Sequence, residues 1–83
     1  MDKELQQEIK SLQNNILREE KKINNQKNND SRSIQKSISA IHSDLKYLSI
    51  IANGAPIDPK QNMKIREFLR IHFENLWRIQ VPA

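Results

Sequence analysis

Two short stretches bring together residue types that can do chemistry. His42-Ser43-Asp44 sets a base, a hydroxyl and an acid in a row, and His72-Phe73-Glu74 sets a base near a carboxylate. Neither order works as a catalytic triad on a helix. Consecutive helical side chains point about 100° apart, so three neighbours fan out instead of aligning. The chain has no phosphate-cradling glycine loop, no dinucleotide fingerprint and no nucleophile elbow. Its two His and its lack of Cys are too few for an unaided metal site of ordinary type. The expectation is a protein with no catalytic residue, no cofactor and no metal.

A different constellation stands out in the C-terminal third. In PKQNMKIREFLRIHFENLWRI, with Ile65 set at zero and about 100° per residue, Ile65, Phe68, Leu69, His72, Leu76 and Ile79 gather along one line. That line is a core face. Arg66, Arg70, Phe73 and Trp77 fall together on the adjoining flank, at i, i+4 and i+7 spacing. Aromatic and guanidinium groups are the types enriched at binding hot spots. The strip is either a second packed face or an exposed partner-binding surface. Arg also meets phosphate and aromatics stack on single-stranded bases. Here Glu67 and Glu74 interrupt the charge. His72 lies between Leu69 and Leu76 on the core line, as a core-edge ring satisfied by a neighbour or as a pH-sensitive contact.

Two earlier segments must position this one. Leu5, Ile9, Leu12, Ile16 and Ile23 are spaced 4, 3, 4 and 7. Ile34, Ile38, Ile41, Leu45, Leu48 and Ala52 are spaced 4, 3, 4, 3 and 4. Both are heptad seams on otherwise polar helices. Glu4/Glu8, Glu19/Glu20 and Lys21/Lys22 read as a solvated charged face. Between the seams, residues 21–36 contain neither Gly nor Pro but concentrate Asn, Asp and Ser, which compete for their own backbone and favour turns and caps. The two seams also differ in phase. Residues 2–53 therefore form either an antiparallel helical hairpin, with a turn at 27–31, or one long coiled-coil helix of about 75 Å at 1.5 Å per residue. Asn53-Gly54 is a helix stop, since Gly is favoured just past a helix end. Residues 54–58 are a linker, and Asp58-Pro59 is a helix start with a capping carboxylate.

The whole is predicted to be one all-α domain over 1–83. A coiled-coil region at 1–53 is joined by a linker at 54–58 to a C-terminal segment at 59–83, whose helix covers 59–79. A chain of 83 residues buries a modest fraction of its surface, and small domains often gain stability from oligomerisation. A homodimer held by Ile9, Leu12, Ile16, Ile38, Ile41, Leu45 and Leu48 follows as an expectation. Net charge is +4, spread evenly along the chain, which permits nucleic-acid contact without predicting it. The polar start and the lack of any long apolar run point to a cytoplasmic protein away from the membrane. The reading that gathers these features is an oligomeric, non-catalytic module that binds a larger protein target. A small basic nucleic-acid-binding regulator is the alternative.

Overall fold

A computed structural model describes residues 3–25 and 31–79. Three helices follow one another: α1 at Lys3–Asn25, α2 at Ser31–Gly54 and α3 at Pro59–Arg78. The described residues are all helix and short connections, with no strand among them. The expected turn at 27–31 lies, but for Ser31, outside the described residues.

Helix α2 is the centre. It packs against both other helices, whereas α1 and α3 reach each other through side chains. On α1 the seam turns Ile9 and Ile16 fully inward, with Leu5, Leu12 and Ile23 half-buried beside them. On α2, Ile34, Ile41, Leu45, Leu48, Ile51 and Ala52 are buried, and on α3 Ile65 and Leu69. Apolar residues three and four apart share a face, so each helix presents one stripe and α2's broader stripe serves two neighbours. Burying a Leu or Ile side chain stabilises by about 1.5–3 kcal/mol, which lets α1, too polar to stand alone, persist as a helix.

Contacts between α1 and α2 run in opposite order along the chain. The Tyr47 hydroxyl donates to Glu8 Oε1 at 2.8 Å, while Glu19 and Lys22 lie beside Lys36 and Ser37. The phenol's bond to the Glu8 carboxylate also raises the Tyr47 pKa, because ionisation would set two anions side by side.

The helix boundaries differ in mechanism from the sequence reading. Gly54 is the last residue of α2, and no glycine has positive φ, so no left-handed cap forms there. The stop belongs to Pro56, whose ring disfavours helical backbone at Ala55. Ala55 N–H still reaches Ile51 O at 2.9 Å. Asp58 is the N-cap of α3 with Pro next to it, yet its carboxylate makes no capping bond. Its backbone carbonyl instead accepts Asn62 N–H at 2.8 Å.

Candidate functional site

The strip of Arg66, Arg70, Phe73 and Trp77 divides into three kinds of environment. Phe73 is half-buried and packs on the core cluster. The His42 ring of α2 meets it edge-on, with centroids 6.4 Å apart and an interplanar angle of 81°. Trp77, one turn further on, is 86% exposed. The two aromatics stand at the mouth of a groove between α2 and α3, lined by Ile38, His42, Phe73, Leu76, Trp77 and Ile79, with a cavity volume of about 430 Å³. Ile79 closes the end of α3 in extended conformation, its N–H on Leu76 O at 3.2 Å.

The two arginines differ in their partners. Arg66 Nε donates to Asn62 Oδ1 at 2.6 Å and Arg66 Nη2 to Asn53 Oδ1 at 3.0 Å. Both acceptors are neutral amides, so they orient the guanidinium without cancelling its charge. Asn62 also donates from Nδ2 to the Ala52 carbonyl at 2.7 Å. That carbonyl is one of the last four of α2, which have no partner within the helix. One side chain therefore closes the end of α2 and aims Arg66. Arg70 is tied to Glu67 and lies 3.9 Å from Glu74. Its guanidinium holds the Glu67 carboxyl below the usual range, and Glu67 in turn raises Arg70.

His42 and His72 point to different neighbours. His42 faces Phe73 on α3. Asp44, two residues on, has its pKa raised by burial and, secondly, by the like charge of Glu19 on α1. The fan of consecutive side chains thus sends base and acid of His42-Ser43-Asp44 to opposite flanks of α2. His72 Nδ1 donates to Glu20 Oε2 at 2.8 Å, with 12% and 16% of the two side chains exposed. The Phe68 ring lies over His72 at 4.0 Å between centroids. The Glu19/Glu20 part of the expected solvated face is corrected here. Glu20 is a half-buried clamp from α1 to α3, and Glu19 is similarly sheltered while it meets Lys22 at 3.5 Å. The only sequence signal for the clamp was a titratable ring on an apolar line, which needs a polar partner when buried. Among the described residues no three His, Asp or Glu converge.

The expected seam residues are deployed within one chain. Ile9, Ile16, Ile41, Leu45 and Leu48 are buried in the core, Leu12 packs against it half-buried, and Ile38 turns to the groove. Among the described residues no helix is long and apolar enough to cross a membrane. Comparison with family models, curated proteins and solved structures gives no match.

Proposed function

We propose that this chain is a non-catalytic helical module that binds a larger protein through the α2–α3 groove. In this reading α1 and α2 form an antiparallel hairpin, and α3 lies along α2 to present Phe73 and Trp77. One observation carries it: the 86% exposure of Trp77 beside an apolar groove. Trp is on average a highly buried residue, and it is the type over-represented where binding energy concentrates. Arg66 and Arg70 flank the same face as exposed cations.

The expected homodimer belongs to the same reading, with the heptad side chains that suggested it packed within the single chain as well. Sedimentation equilibrium at micromolar concentration decides it: a homodimer returns twice the 9.8 kDa of the chain, and a folded monomer of 9.8 kDa ends the claim. Affinity capture from the source cell, read by mass spectrometry, tests the binding reading. Wild-type protein should retain a partner that Trp77→Ala loses. Equal retention by both would move the site off the groove. The nucleic-acid alternative keeps one supporting observation, an exposed indole on the same helix as the uncancelled Arg66 charge. Nucleic acid co-purifying at moderate salt would favour it.

A further inference from the structure

The α2–α3 groove and the surface beside it, towards the α2–α3 connection, differ in character. The groove lining is largely apolar: Ile38, Phe73, Leu76, Trp77 and Ile79. Outside that lining, towards the start of α3, the surface carries the cations Arg66 and Lys46. Arg66 lies eleven residues before Trp77, about 16 Å along α3, and is held by Asn62 of its own helix and by Asn53 of α2. On α2, Lys46 is exposed one turn beyond His42 towards that same end. Residues four apart share a helix face, so Lys46 continues the flank that His42 presents to Phe73. The carboxylates that follow Arg66 on α3 are engaged: Glu67 and Glu74 bind Arg70 and Arg78.

We propose, resting on the protein-binding reading above, that this groove takes an amphipathic helix with a large apolar anchor for the Trp77 end and carboxylates two to three turns away for Lys46 and Arg66. Eleven residues are close to three full turns at 3.6 per turn. An anchor and a carboxylate eleven positions apart therefore lie on one face of a straight helix. A helix laid in a groove is read through such same-face anchors. The charged end would set its direction and register more than its affinity.

Trp77 is the sole Trp of the chain, so its emission reports the occupant directly. The probe is a synthetic helical peptide without Trp or Tyr, carrying a Leu anchor and Glu at the seventh, eighth and eleventh positions after it. Its companion replaces each Glu by Lys. The Glu peptide should shift Trp77 emission to the blue, and the Lys peptide should bind at least about tenfold more weakly. Arg66→Glu should reverse that preference while keeping the helical circular dichroism, and Lys46→Glu, which leaves the Asn62 contacts alone, should reduce it. Equal binding of both peptides would overturn the acidic partner but leave protein binding in place. A blue shift with rising protein concentration alone would mean that a second copy fills the groove. Emission changed only by a single-stranded oligonucleotide would overturn both readings. No change with any of them would overturn this proposal too.

Discussion

The α1–α2 interface and the C-terminal end of the α2–α3 interface are built from similar helices but end in opposite states. In the first, Ile16, Leu45 and Leu48 reach zero exposure, and polar residues such as Glu8 and Tyr47 bridge its edge. In the second, an apolar groove stays open and the largest side chain of the chain stands beside it in solvent. The difference lies in angle, not in amount of hydrophobic residue. Aliphatic side chains on the line with Ile65 find α2, whereas Phe73 and Trp77 are turned towards the flank. Phe73 still reaches the core; Trp77, a turn nearer the helix end, does not.

The largest effect should come from breaking the closed side. Leu45→Ala removes a fully buried side chain at the centre of the core. Such truncations cost about 2–5 kcal/mol, a large part of the stability of a domain this small. Urea unfolding followed by circular dichroism should show loss of most helical signal or a much lower midpoint. A midpoint close to the parent would mean that the two interfaces are less different than their burial indicates.

Much of the closed side was legible in the sequence, because a heptad seam is a repeated signal. Five of its seven chosen residues are buried, and α3 was placed to within one residue. The seams place the apolar faces without naming what covers them, since an apolar stripe does not specify its partner. The ends of the helices were less legible. Asn62 reads as an ordinary polar helix residue, yet it satisfies the Ala52 carbonyl and orients Arg66. Glu20 reads as one of a run of charges, yet it meets a ring fifty-two residues away. Single long-range polar contacts have no periodicity to announce them. On the groove side, residue type and angle grouped the strip, but only the packing separates a half-buried Phe73 from an exposed Trp77.

The Glu20–His72 clamp sharpens the comparison at an intermediate scale, because it joins α1 to α3 where their backbones do not meet closely. Glu20→Ala leaves a sheltered ring N–H without its acceptor. Removing one partner of a buried hydrogen bond costs about 1–3 kcal/mol. Glu20→Gln keeps an acceptor oxygen and should lose less. The same urea series measures both, and equal losses from Ala and Gln would show that the bond contributes little beyond the packing of the side chain.

A smaller effect of opposite sign is expected at Asp44. Its pKa in the fold is raised, by burial first and Glu19 second. The folded state therefore penalises the ionised form, so at neutral pH the group costs stability. That cost is relieved as pH falls through the folded pKa and is gone below the unfolded value. Asp44→Asn should stabilise at pH 7, by less than about 1 kcal/mol because solvent screens a partly exposed charge. The advantage should shrink as the pH is lowered through the acidic range. An advantage that stays constant with pH would exclude the ionised carboxylate as its source.

The smallest effect on stability should come from the largest side chain. Trp77→Ala removes an indole that is 86% exposed, so little packed area disappears with it. Surface substitutions of this kind usually change stability by no more than about 0.5 kcal/mol. Were Trp77 a core residue, as its size and its helix would equally allow, the same change would cost about 3–5 kcal/mol. The two cases are far enough apart for a single pair of urea curves to separate them. The parent and Trp77→Ala should have overlapping midpoints and equal slopes, since the slope follows the surface exposed on unfolding. Leu45→Ala in the same experiment supplies the contrast. If Trp77→Ala instead falls as far as Leu45→Ala, the indole is packed in solution and the open groove is closed by its own chain. If it overlaps the parent, the exposed indole has no structural duty to explain it, and partner binding is the reading that accounts for it.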